Sequence, residues 1–158
     1  MSSPASIGKH PIHPMVVPFP IALWIFSFVC DVVYALDWGG IFWKDMAFVC
    51  MAGGVIGALV AAIPGYLDYR SLTALSAAQR IGRWHMALNL SIAVLFTINL
   101  WLRVGSEASA VWPVILSLVS IALLGISGWL GGELVYVHGV AVDQEPQVPV
   151  RKGRDRAA

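Results

Sequence analysis

The chain of 158 residues is 58% hydrophobic and 12% charged, with a formal net charge of +1. Globular domains carry about 25% charged residues, so this composition excludes a soluble core wrapped in polar surface and reads as a membrane protein. The near-neutral charge, with no basic cluster interleaved with aromatics, excludes nucleic acid as a partner.

The N-terminal stretch has a single Lys and several prolines ahead of its apolar run, which does not make a cleavable signal peptide. The segment KHPIHPMVVPFPIAL sets His10 and His13, each followed by proline, at the threshold of that run. A first spanning helix is predicted over about 14–36, with Pro18 and Pro20 in its first turns, where proline costs least. The short link DWGGIFWKD leads to a second span over about 42–66. In the next connection, RSLTALSAAQRIGR, Leu72, Leu75, Ala78 and Ile81 recur at helical spacing with polar residues between them. This predicts a short amphipathic helix lying in the interface between spans two and three. The third span covers about 85–102, and after RVGSEASA the fourth covers about 111–130 and extends toward His138. Residues 143–158 read as a polar, disordered tail.

Backbone polar groups in hydrocarbon must be satisfied internally, so the spans are helices. Short links make their neighbours antiparallel. The expected fold is an all-α membrane protein, a four-transmembrane-helix bundle forming one domain over residues 1–142. Four spans put both termini and the middle connection on one side, here called side A. Lys9, Arg70, Arg80 and Arg83 fall there with the basic tail, against Lys44 and Arg103 on side B. The positive-inside rule then makes side A cytoplasmic, in a cell inner membrane. Trp38, Trp43, Trp101 and Trp112 near side B, and Trp84 near side A, fit aromatic belts.

All four histidines map to side A: His10 and His13 before span one, His85 opening span three, and His138 after span four. Helical rise brings His13, Asp68, His85 and Glu133 near one level, with His10 and His138 further out. Tyr66, Tyr69, Asn89 and Tyr136 lie in the same region, and Asn89 shares a helix face with His85. Imidazole is a common metal ligand and the axial ligand of b-type haem. Nearby carboxylates bind metal or orient the rings. Interfacial anchoring also suits histidine, but anchors belong on both faces, and side B has none.

Other features have plainer readings. Cys30 and Cys50 lie in apolar runs as small packing residues. Asp31 within span one is either a functional carboxylate or one near side B bonded to Asn99. Gly53 and Gly57, and Gly125, Gly128, Gly131 and Gly132, read as close helix packing.

The motifs HPIHPMVVPFPIAL, PGYLDY, WHMALNL and GGELVYVHGVAV together resemble a bacterial family of four-span membrane proteins, domain of unknown function 2231, from about Lys9 to Val142. The resemblance carries the family's recurrent histidines onto His10, His13, His85 and His138, and its acidic motif residues onto Asp68 and Glu133. Relatives that carry a Rieske iron–sulfur domain imply electron transfer, with a separate redox partner for this chain.

Three functions are open at this point. One is electron transfer by haem b, bound through two histidines from different helices, with His13 and His85 the favoured pair and His10 and His138 next. Its partners would be a redox protein or quinone. Another is a transition metal ion, such as zinc, iron, manganese or copper, held by His10, His13, His85, His138, Asp68 and Glu133, with or without catalysis. The third is a structural subunit, in an oligomer or alone in the lipid bilayer, whose polar groups form a network.

Overall fold

The computed structural model describes residues 3–104 and 111–142. The chain opens with a small antiparallel hairpin, β1 (Ser6–Ile7) and β2 (His10–Pro11). Its two-residue turn has Gly8 at φ 55° and Lys9 at φ 69°, the left-handed pair that matches strand twist. The helices are α1 (Ile12–Val16), α2 (Pro18–Ala35), α3 (Ile41–Arg70), α4 (Ala77–Arg103) and α5 (Val111–Tyr136). Four segments are long and apolar enough to cross a membrane: Ile12–Ala35, Ile41–Arg70, Ala77–Arg103 and Val111–Tyr136.

The sequence locates the spans, but their ends differ from expectation. Span one is broken after Val16 because Pro18 and Pro20 cannot donate to the helical ladder. The separate interfacial helix expected between spans two and three is not formed. Instead α3 runs on to Arg70, and α4 begins at Ala77, so Ala78 and Ile81 belong to the first turns of α4. A reciprocal cap fixes that start: Gln79 N–H donates to Ser76 Oγ at 3.0 Å, and Leu75 N–H donates to Gln79 Oε1 at 2.8 Å. Leu75, at φ 61°, is exposed. Helix α5 ends on Gly139, at φ 61°, with Val140 N–H donating to Leu134 O at 2.9 Å and Gly139 N–H to Val135 O at 3.1 Å. This glycine-terminated end sets His138 at the cap. The tail over 143–158 lies outside the described residues.

Helix α2 packs mainly on α3 and α4 mainly on α5, giving two hairpins. The core between them is Trp24, Met51, Ile92, Phe96 and Leu124. Much of the outer surface is apolar, including Phe19, Ile56, Ile63, Leu90 and Trp129, as expected of helices facing lipid.

The two hairpins are repeats of one another. Asp31 and Arg103 stand 72 residues apart and pair across the bundle. The same interval relates Trp24 to Phe96, which stack, and His13 to His85, whose rings face each other. Three residues of the first span thus each meet their own equivalent in the third. Any two parallel neighbours keep a constant offset, so the repeat rests on matched contacts to the second helices, His13 to Ala61 O as His85 to Ser127 O, with Gly65 and Gly131 beside the two rings. Together these contacts define a two-fold axis along the bundle. The second helices follow suit. Ser27 Oγ donates to Ala47 O at 2.8 Å, and at the equivalent place Asn99 Nδ2 donates to Pro113 O at 2.8 Å.

Candidate functional site

His13 and His85 come together at the side A end of this axis. Their ring centroids are 6.4 Å apart and the planes are near perpendicular, at 87°. His13 is carried by α1, ahead of the proline break, and His85 by the early turns of the continuous α4.

Each ring is docked on the second helix of its own hairpin. His13 Nδ1 lies 2.8 Å from Ala61 O on α3, and His85 Nδ1 lies 2.9 Å from Ser127 O on α5. A carbonyl oxygen only accepts, so Nδ1 carries the proton in both rings, and Nε2 holds the lone pair. A glycine makes room one turn beyond each carbonyl. A Cβ at Gly65 would lie 2.8 Å from Cε1 and Nδ1 of His13, and one at Gly131 would lie 3.1 Å from Cε1 of His85. Pro64 sits beside Gly65 within α3. Lacking an N–H, it loosens the ladder at the turn that offers Ala61 O.

Asn89, one turn along α4, adds a clamp to the His85 half. Its Nδ2 donates to His85 O and to Ser127 Oγ, both at 2.8 Å. The same nitrogen makes a longer 3.2 Å contact with His85 Nε2. Ser127 Oγ is also 3.1 Å from His85 Nδ1.

The other expected ligands do not join this pair into a larger cluster. Among the described residues, no three His, Cys, Asp or Glu side chains gather in a way that could hold a metal ion. His10 is exposed on β2, and His138 is half-buried at the end of α5. Glu133 is half-buried on α5, and its carbonyl accepts from Val137 and His138. Asp68 is buried and accepts from Ser3 Oγ at 2.5 Å, which ties the N-terminal hairpin across the end of α3. Tyr66 contacts Arg70, Tyr69 packs against Gly82, and Tyr136 is exposed.

At the opposite end of the axis, Asp31 forms a two-pronged ion pair with Arg103, at 2.6 and 2.7 Å. Arg103 Nε also donates to Asn99 Oδ1 at 2.9 Å. Asn99 therefore reaches Asp31 through the arginine rather than directly. This is a closed structural contact, with the carboxylate and the guanidinium committed to each other. Sequence reasoning missed the repeat and the partners Ala61 and Ser127. A main-chain carbonyl has no residue signature, and the aligned first and third spans share little beyond the two histidines.

A family model described as a predicted membrane protein (DUF2231) matches residues 9–144. The chain belongs to that family. No curated protein and no solved structure matches it.

Proposed function

We propose that this member of the DUF2231 membrane protein family holds a b-type haem between His13 and His85 and works in electron transfer. The observation that carries the reading is the pair of imidazoles on the axis, with both Nδ1–H groups tied to carbonyls and the Nε2 atoms on the opposite side of each ring, that of His85 in a longer 3.2 Å contact with Asn89 Nδ2. A backbone acceptor on the far nitrogen is the arrangement that orients a ligating histidine and raises its basicity. Two imidazoles binding one ion from opposite sides, each nitrogen about 2 Å from it, have centroids about 6 Å apart; the rings here stand at 6.4 Å.

The number of donors favours haem over a bare ion. Zinc sites take three or four protein ligands, whereas a b-type haem iron asks the protein for two axial ones. The glycines beside both rings let each imidazole sit close against its neighbouring helix, which supports a fixed ring orientation. Haem held at this place supplies one-electron chemistry; the chain's own residues bind it, fix the two rings and set the depth. Lys9, Arg70, Arg80 and Arg83 lie at the same end as the histidines, which supports a cytoplasmic side A in an inner membrane. The exchange partner is then a separate redox protein at that surface or a quinone in the bilayer.

The test is an absorption spectrum of the detergent-purified protein before and after dithionite. The expected result is a Soret band with visible bands that sharpen on reduction, lost in the His13→Ala/His85→Ala double variant and kept in His10→Ala and His138→Ala. A spectrum with only aromatic absorbance, in protein expressed with adequate haem supply, overturns the reading. Zinc or copper found in that colourless protein would replace haem by a metal ion.

A further inference from the structure

The repeat makes it possible to compare the two halves of the site position by position, and they are not equal. In the second half, Ser127 Oγ lies 3.1 Å from His85 Nδ1 beside the Ser127 carbonyl, and Asn89 fixes that hydroxyl and the His85 carbonyl. At the equivalent positions of the first half stand Val17 and Ala61, whose side chains have no hydrogen-bonding group. Among the described residues, the polar contact of the His13 ring is the one to Ala61 O.

The backbones differ in the same sense. His85 belongs to a continuous helix of 27 residues, and moving it would break a membrane span. His13 lies in the first turn of its own span, Ile12–Ala35, ahead of Pro18 and Pro20, whose missing N–H groups thin the helical ladder there. Among the described residues, the N-terminal hairpin precedes it, held by Ile12 N–H donating to Ala5 O at 2.9 Å and by Ser3 on Asp68. Moving His13 therefore disturbs an end turn of its span, whereas moving His85 disturbs the interior of α4.

We infer that His85 is the anchored ligand of the centre and His13 the displaceable one, so that the site admits a small neutral π-acceptor ligand in place of His13. This rests on the haem reading above. The exchange moves no electron and no proton. With haem bound, the exchange would replace one nitrogen donor by one donor atom of the incoming molecule, and His13 would leave neutral with its Nδ1 proton in place. The centre then serves as a binding or sensing site for a small gas molecule as well as an electron carrier.

Carbon monoxide is the probe, added to the dithionite-reduced, haem-loaded full-length protein in detergent. The wild-type spectrum should begin six-coordinate and low-spin, and carbon monoxide should shift its Soret band. His13→Ala should retain haem in a five-coordinate form and bind carbon monoxide at least tenfold more tightly, whereas His85→Ala should lose most of its haem. The Val17→Asn/Ala61→Ser variant, which gives His13 the grip that His85 has, should bind carbon monoxide at least tenfold more weakly with its low-spin spectrum intact. Circular dichroism checks that each variant is folded. A low-spin spectrum that carbon monoxide leaves unchanged overturns this inference while the haem reading stands. Retention of haem by His85→Ala and its loss in folded His13→Ala also overturns it. Absence of any Soret band overturns both.

Discussion

Trp24 stacks on Phe96 with centroids 4.5 Å apart and planes 12° apart, and each is the other's equivalent in the internal repeat. A two-fold axis passing between α2 and α4 forces such residues to meet. It explains why the bundle has three levels of matched partners: imidazole on imidazole at side A, aromatic on aromatic in the middle, acid on base at side B. In a strict dimer of one hairpin, the last level would set two like charges against each other, at a cost of several kcal/mol in a dry interior. One chain carrying both halves can place Asp31 on one and Arg103 on the other.

The ion pair should therefore behave as a swappable unit. Both side chains are buried, at 9% and 5% exposure, so removing one partner strands the other. Asp31→Asn is expected to cost about 3–5 kcal/mol, seen as a large drop in the thermal midpoint in detergent. The exchanged double variant Asp31→Arg/Arg103→Asp should recover part of that loss. Recovery stays partial because Asn99, which receives Arg103 Nε, has Ser27 as its counterpart in the first half. A double variant no more stable than Asp31→Asn alone would show that the two positions are not related by the axis.

The glycines divide into those a side chain would crowd and those it would not. At Gly54 a Cβ would fall 2.5 Å from Cδ1 and Nε1 of Trp24, a ring already pinned against Phe96. Gly54→Ala is expected to cost about 1–3 kcal/mol through overpacking. At Gly128 a Cβ meets nothing within 4 Å, and Gly128→Ala should be neutral or gain up to about 1 kcal/mol from helix propensity. Thermal unfolding of the two variants side by side checks the contrast.

That contrast also shows where a sequence reading stops. Spacing, charge and apolar runs were enough to place four spans and to bring His13 and His85 to one level, because hydrocarbon leaves a backbone few options. They were not enough to sort glycines by face. Gly53 and Gly57 do pack, on Leu23 and Pro20, but Gly125 and Gly128 are open on the outer surface. They likewise grouped six ligands where two meet, since shared depth does not fix rotation about the helix axis. The partner of Asp31 was misread for a related reason. Arg103 counts as a boundary charge by position, yet its long stem turns inward to reach the first span.

Gly65 is the glycine that bears on the site itself. A Cβ there would lie 2.8 Å from the His13 ring, on the side of the nitrogen that donates to Ala61 O. Gly65→Ala should displace the ring and lose that bond, costing about 1 kcal/mol of stability, and under the haem proposal it should convert the reduced spectrum toward five-coordinate. Gly131→Ala meets His85 at 3.1 Å, where both the carbonyl and the hydroxyl of Ser127 face Nδ1, so under the haem proposal its spectrum should change less. Equal effects in the two variants would contradict the inequality of the half-sites.

The last prediction concerns the indole at the centre. Trp24 is 2% exposed, and among the described residues its Nε1 is a buried side-chain donor with no hydrogen-bond partner. Leaving such a group unsatisfied costs about 1–3 kcal/mol, which opposes what the ring gains by stacking on Phe96. Trp24→Phe removes the orphaned N–H and keeps an aromatic face, turning the middle level into a like pair as the two-fold permits. The smaller ring gives up some packing volume, a loss of similar size. The two effects offset, so Trp24→Phe is expected to change stability by less than about 1 kcal/mol, whereas Trp24→Ala should lose about 3–5 kcal/mol. Thermal or denaturant unfolding of both variants decides the matter. A Trp24→Phe variant as damaged as Trp24→Ala would mean that the indole N–H is engaged in the folded protein.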